Sequence, residues 1–158
     1  MKNHKRSRGG VESLAKINRT LFWALCVLVV LAVGVLLWSF LPKTAREWND
    51  RGESLANNGK YEKALECFNR AVELDPGESE YLSNRGNVRL YLGDFEGAVR
   101  DFSLVIKIDP RTGAAYYNRG IAYTHLGLSS EAAQDLDRAC ELGIVKGCDA
   151  VKELKLWP

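Results

Sequence analysis

The sequence repeats with a period of 34 residues, and this period constrains the fold more than any other feature of the 158-residue chain. Residues 45–146 divide into three blocks that align identical or similar residues in several columns. The clearest columns are Gly52, Gly86 and Gly120; Gly59, Gly93 and Gly127; Ala64, Ala98 and Ala132; Phe68, Phe102 and Leu136; and Ala71, Val105 and Ala139. A fixed period of this length is typical of stacked repeats, in which each unit buries its apolar face against its neighbours.

Each block is predicted to form two helices joined by a turn. Ala64, Phe68 and Ala71 are spaced i, i+4 and i+7, which places them on one apolar stripe of a helix. Gly59 stands where a first helix would end in a left-handed conformation, and Pro76 cannot continue the second helix. The pattern predicts an all-α fold with helices at 45–58, 61–74, 79–92, 95–108, 113–126, 129–142 and about 146–156.

An uncharged apolar segment precedes the repeats at residues 21–41, where Gly34 and Ser39 are the only non-apolar residues. A helix of this length would extend about 31 Å, close to the ~30 Å hydrocarbon core of a bilayer. The segment is longer than the apolar region of a cleaved signal peptide, and no small-residue cleavage site follows it. We therefore predict one retained transmembrane helix, rather than a removed signal peptide or a buried core helix.

The charges on either side of this segment predict its orientation. Residues 1–20 hold six basic residues and one acid, whereas residues 42–158 hold 16 basic and 19 acidic residues, so the net charge of +2 is the sum of +5 and −3. Because basic flanks stay in the cytoplasm, we expect a cytoplasmic tail at 1–20 and exported repeats. A basic charge confined to a tail also disfavours a nucleic-acid-binding body.

The repeating residues resemble the pattern of the tetratricopeptide repeat family. The matching residues are Trp48, Gly52, Tyr61, Ala64, Phe68, Ala71 and Pro76 in the first block, Leu82, Gly86, Phe95, Ala98, Phe102, Val105 and Pro110 in the second, and Tyr116, Gly120, Tyr123, Ala132, Leu136 and Ala139 in the third. The resemblance implies a three-repeat α-solenoid with repeats at 45–78, 79–112 and 113–146. Ile144 replaces the third proline, so we expect this repeat to be terminal and residues 147–158 to form a capping helix.

One column departs from the family pattern, because an arginine precedes the conserved glycine of each repeat. Arg85 and Arg119 are each followed sixteen residues later by an aspartate, Asp101 and Asp135. We predict an ion pair between Arg85 and Asp101, and another between Arg119 and Asp135, across the helix hairpins. The alternative is that the arginine stems merely cover apolar surface.

The four cysteines do not form a framework of several disulfides. Cys26 lies in the predicted membrane segment, and Cys67, which takes the aspartate column in the first repeat, is expected near the surface. Cys140 and Cys148 flank a predicted helix–turn–helix junction, which resembles the disulfide-bridged variants of Sel1-like repeats. That resemblance implies a bond between them, which an exported location would allow. Two buried thiols are the alternative, and a metal site is disfavoured because no histidine accompanies the pair.

No pattern suggests catalysis, and we expect no enzyme activity, no cofactor and no metal site. The family resemblance instead implies a concave groove, lined by the first helix of each repeat, for a protein or peptide partner. The implied groove residues are Asn49, Glu53, Asn84, Asn87, Tyr91, Tyr117, Asn118, Ile121, Thr124 and His125. Ala114 and Asn118 stand where relatives that clamp a C-terminal carboxylate need basic residues, so we do not expect such clamping.

These features predict a single-pass membrane protein whose repeats act as an adaptor or scaffold on the periplasmic side of a bacterial inner membrane. One alternative is a cytosol-facing receptor for chaperones or precursor proteins on an organelle outer membrane. Another is a structural self-association module, because short repeat arrays often cover their exposed end faces by forming homo-oligomers.

Overall fold

A computed structural model describes residues 21–34 and 44–156. The chain divides into two compact units, residues 1–41 and residues 42–158. In the first unit, residues 21–34 form a helix, α1. No helix among the described residues is both long and apolar enough to cross a membrane. The rest of the predicted span and the predicted cytoplasmic tail lie outside the described residues, so the span and its orientation stay predictions.

The second unit is a series of helical hairpins. Its helices are α2 (Ala45–Asn57), α3 (Tyr61–Leu74), α4 (Ser79–Leu92), α5 (Phe95–Ile108), α6 (Gly113–His125), α7 (Ser129–Glu141) and α8 (Val145–Leu156). Each helix packs against the next one along the chain, and α4 also contacts α2 and α6. The predicted all-α solenoid is confirmed, and each of these helices begins and ends within one residue of its predicted bounds.

Local side-chain and backbone preferences set the ends of the helices. The Glu47 N–H donates to the Thr44 hydroxyl at 3.2 Å, and the Thr44 N–H donates to the Glu47 carboxylate at 3.1 Å, which forms a capping box at the start of α2. Gly59, Gly93 and Gly127 have φ values of 71°, 79° and 73° in the turn of each hairpin. These are the left-handed conformations that the glycine column predicted.

A second glycine column lets the two helices of each hairpin approach closely. In the first hairpin, a Cβ on Gly52 would lie only 2.6 Å from a ring carbon of Phe68, a side chain that is almost fully buried. The three contacts of this kind are Phe68 on Gly52, Phe102 on Gly86 and Leu136 on Gly120. The Gly52 column and the Phe68 column of the sequence are therefore the two sides of one packing contact.

Cys67 is buried, with 5% of its surface exposed, so its expected place near the surface was wrong. Its column faces the interior of the hairpin, where Asp101 and Asp135 are buried as well. The sequence prediction assumed that an aspartate column must be exposed, whereas here paired arginines allow the carboxylates to be buried. Burial raises the pKa of the Cys67 thiol, and the positive charge of Arg51 opposes part of that rise.

The last helix is joined covalently to the helix before it. Cys140 and Cys148 form a disulfide between α7 and α8, with their Cα atoms 4.7 Å apart. Gly147 allows the close approach, because a Cβ there would lie 3.0 Å from the Leu136 carbonyl oxygen, and Val151 is buried. The implied bond is present, while the resemblance to Sel1-like repeats stays a prediction.

Opening this disulfide is expected to lower the free energy of unfolding of the full chain by about 2–3 kcal/mol, because a short closed loop no longer restricts the unfolded state. Denaturant unfolding with and without a reductant measures the effect. The double variant Cys140→Ser, Cys148→Ser is the control, because its stability should match that of the reduced protein and should not respond to reductant. Equal stability of the oxidised and reduced wild-type protein would contradict the expectation.

Candidate functional site

Two open cavities lie along the face formed by the first helices of the repeats. The first, of about 490 Å³, is lined by Glu53, Ala56, Asn57, Tyr61, Phe68, Asn84, Asn87, Val88 and Tyr91. The second, of about 450 Å³, is lined by Asn87, Leu90, Tyr91, Phe95, Asn118, Ile121 and His125. Because Asn87 and Tyr91 line both, the two cavities adjoin each other, and we call the face of α2, α4 and α6 that they occupy the groove.

Seven of the ten predicted groove residues line this groove, and three do not. Asn49 has 1% of its surface exposed and is hydrogen-bonded to Glu53 and Asn84, so it holds residues of the lining in place without being part of it. Tyr117 is partly buried and lines neither cavity, and the Thr124 hydroxyl donates to the Gly120 carbonyl at 2.9 Å within its own helix. The family resemblance therefore indicated the correct helix face, but it did not distinguish the residues that line the cavities from the residues that pack behind them.

Side-chain amides connect the first helices of successive repeats. Asn84 Nδ2 donates to Asn49 Oδ1 at 3.0 Å and to Glu53 Oε1 at 2.8 Å. One repeat further along, Asn118 Nδ2 donates to Asn87 Oδ1 at 2.9 Å. The amide hydrogens of Asn84 are thus used within the protein, whereas those of Asn87 make no hydrogen bond to any described residue and face the shared part of the groove.

Two pairs of stacked rings also cross between repeats. The rings of Tyr61 and Tyr91 are 4.9 Å apart and 6° from parallel, and those of Phe95 and His125 are 4.3 Å apart and 2° from parallel. Tyr61 and Phe95 occupy the same column, at the first position of the second helix. They were not predicted as groove residues, because the resemblance drew attention to the first helices alone. An aromatic residue repeated directly after the hairpin turn was the signal that could have identified them.

Both predicted arginine–aspartate pairs are present: one lies inside the second repeat and the other inside the third. Arg85 donates from Nε and Nη2 to the two carboxylate oxygens of Asp101, at 3.0 and 2.7 Å. Arg119 makes the same bidentate contact with Asp135, from Nε at 2.7 Å and from Nη2 at 2.8 Å. This hydrogen bonding stabilises the charged guanidinium and raises the pKa of Arg119.

Each of these arginines also contacts the preceding repeat. Arg85 Nη1 lies 3.4 Å from Asn69 Oδ1 on α3, and Arg119 Nη1 lies 2.9 Å from Ser103 Oγ on α5. One guanidinium therefore links both helices of its own hairpin to the second helix of the repeat before it. Because the groove is formed between successive repeats, these links help to determine its shape.

A third arginine joins the ion pair in the second repeat. Arg89 Nη1 donates to Asp101 Oδ2 at 2.8 Å and to the Gly97 carbonyl at 3.2 Å. The repeat alignment did not predict it, because Leu55 and Tyr123 occupy the same column in the other repeats. Asp101 is almost fully buried with two guanidinium groups around it, and its exposed fraction is only 1%.

Replacing Asp101 by alanine is expected to lower the free energy of unfolding by about 3–5 kcal/mol, because two largely buried guanidinium groups lose their carboxylate. The matched control is Glu73→Ala, which removes an exposed ion pair with Arg70 and should cost at most about 1 kcal/mol. Denaturant unfolding of both variants provides the comparison. Similar small losses for the two substitutions would show that the buried pair does not stabilise the repeat.

Comparisons with known proteins match the repeat region. Two family models described as tetratricopeptide repeat match residues 45–78 and residues 83–144. No curated protein matches the sequence significantly.

Several solved structures share this architecture. The second tetratricopeptide repeat domain of human RPAP3, in complex with the HSP70 peptide SGPTIEEVD, is 31% identical to this chain. Its TM-score is 0.65, and the match covers 68% of this chain and 92% of that one. The Arabidopsis OM64 domain is 26% identical, with a TM-score of 0.69 over 72% of this chain and 96% of that one. YrrB, described as having an unusual peptide-binding site, is 25% identical, with a TM-score of 0.68 over 70% of this chain and 58% of that one.

Proposed function

The chain belongs to the tetratricopeptide repeat family, and we propose that its groove binds an extended segment of a partner protein, so that the protein acts as an adaptor. The observation that carries this proposal is the groove along α2, α4 and α6, whose two adjoining cavities combine amide groups with aromatic rings. Tyr91 lies at its centre with 72% of its surface exposed. An exposed tyrosine next to a free amide offers both apolar contact and hydrogen bonds to a peptide backbone.

The chemistry of the groove differs from what an acidic peptide end requires. The RPAP3 peptide SGPTIEEVD is acidic, and its binding to that relative supports a peptide-binding groove in general. Neither cavity is lined by a lysine or an arginine among the described residues, and the family resemblance implies that a carboxylate clamp would need basic residues where Ala114 and Asn118 stand. We therefore propose a partner segment bound through its interior rather than through a C-terminal carboxylate.

Residues 21–41 are proposed to anchor this adaptor in a bacterial inner membrane as a single span, with residues 1–20 in the cytoplasm and the repeats in the periplasm. The support is the apolar run itself and the excess of basic residues before it. The disulfide between Cys140 and Cys148 is also more compatible with an oxidising compartment than with a reducing cytoplasm. A partner bound in the groove would then be held at the membrane surface.

A photo-crosslinking amino acid in place of Tyr91 is expected to capture the partner in intact membranes, whereas the same amino acid in place of Leu104 is expected to capture none. Leu104 is also an exposed apolar residue, but it lies on α5 and lines neither cavity. For a partner identified in this way, Tyr91→Ala should weaken binding about tenfold, and Leu104→Ala should not. Equal crosslinking at both positions would argue against the groove as the binding site.

The topology is tested with a reporter enzyme that is active only after export, fused after Pro158 in a bacterial host. High activity is expected, and removal of residues 21–41 from the fusion should abolish it. A reporter that works only in the cytoplasm would contradict the periplasmic location and favour the cytosol-facing alternative. Light scattering tests the self-association alternative. A monomeric mass of residues 42–158 at high concentration would exclude it.

A further inference from the structure

The lining of the first cavity includes one carboxylate and two stacked aromatic rings. We propose that this cavity, lined by Glu53, Tyr61 and Tyr91, binds an arginine or lysine side chain of the partner segment. The inference rests on the proposed peptide-binding function and adds the chemical class of segment that the groove selects. It follows from the hydrogen bonds that orient the Glu53 carboxylate, the exposed ring of Tyr91, and the absence of lysine and arginine among the described residues of the lining.

Glu53 is held in place while one of its oxygens stays available. Asn49 Nδ2 and Asn84 Nδ2 both donate to Oε1, at 3.0 and 2.8 Å. No described residue donates a hydrogen bond to Oε2. Two amide donors on one oxygen restrict the side-chain rotamer, so a cation in the cavity meets a carboxylate that is already oriented.

The charges around Glu53 favour a cation as its ligand. Of the described residues that line the first cavity, Glu53 alone is charged. Glu80 adds a second carboxylate nearby, where it accepts a hydrogen bond from Asn49 at 3.3 Å. Among the described residues that line the second cavity, there is neither a lysine nor an arginine that could offset this negative charge. An arginine or lysine of the partner would therefore supply the missing opposite charge.

The tyrosine pair provides the second half of a cation site. Tyr61 and Tyr91 stack face to face in the lining of the same cavity, and the large exposed fraction of Tyr91 leaves its ring accessible to a ligand. A guanidinium or ammonium group is attracted to the face of an aromatic ring, and a guanidinium can stack on it while it pairs with a carboxylate. Leu90, Phe95 and Ile121 in the adjoining cavity would accept an apolar side chain of the same segment.

The test compares the peptide acetyl-Leu-Ala-Arg-Ala-Leu-amide with the same peptide carrying citrulline, which has nearly the shape of arginine without its charge. Binding to the isotope-labelled full chain is followed by NMR, through the signals of the groove residues. The arginine peptide should bind about tenfold more tightly than the citrulline peptide at low salt, because it combines a charge pair with a ring contact. The difference should shrink as the salt concentration rises.

Glu53→Gln is the decisive variant, because the glutamine oxygen can still accept from both asparagines while the charge is lost. It should lose most of the preference for the arginine peptide, and the ring contact should account for what remains. Glu131→Gln, which neutralises an exposed acid on α7 outside the groove, should keep the tenfold preference. Tyr91→Leu is a second and independent variant, which keeps an apolar side chain but removes the ring and should reduce the preference.

Three outcomes would overturn the inference: equal binding of the two peptides, an undiminished preference in both Glu53→Gln and Tyr91→Leu, or the absence of any arginine-dependent change at the groove signals. None of these results would by itself remove the proposed adaptor function. That function fails separately, if a crosslinker at Tyr91 captures no partner in membranes. A groove that captures a partner but ignores the arginine would retain the adaptor function and reject the cation site.

Discussion

The close packing of a bulky side chain onto a glycine, repeated once in each hairpin, is the contact on which the rest of the structure depends. Phe68 on Gly52 is the first example, and the helices it joins could not approach as closely if the glycine had a Cβ. Because the same contact recurs every 34 residues, successive hairpins have nearly the same shape and can stack on one another. The stacking brings α4 into contact with both α2 and α6, and the groove lies along these helices.

Polar interactions then connect one hairpin to the next. Arg85 and Arg119 each bind an aspartate in their own repeat and a polar side chain in the repeat before it. Arg51 faces Cys67 where the others face an aspartate, and its guanidinium lies 5.9 Å from the ring of Trp48, much as that of Arg119 lies 5.7 Å from the ring of Tyr116 in the same column. The first repeat therefore differs in having no aspartate for a buried ion pair at this position, and the opposite end of the array is closed by α8 and its disulfide.

The groove combines residues that support its shape with residues that remain open to a ligand. Asn49 and Asn84 use their amide hydrogens within the protein, and in doing so they orient the carboxylate of Glu53. Asn87 and Tyr91, in contrast, have an amide and a ring that face the groove. This division explains how a groove lined by neither lysine nor arginine among the described residues can still be selective, since an oriented carboxylate and an aromatic ring together distinguish cationic from neutral side chains.

The helices, the turn glycines and the pairing of Arg85 with Asp101 could be predicted from the sequence, because each depends on spacing within one repeat and recurs in the next. The packing of the helices was needed to show that Asn49 and Cys67 are buried, that Arg89 joins the ion pair, and that Tyr61 stacks on Tyr91. These features depend on how one helix is rotated against another, or on residues some thirty positions apart in different repeats. A periodic pattern indicates that two units stack, but only the packed structure shows which side chains meet between them.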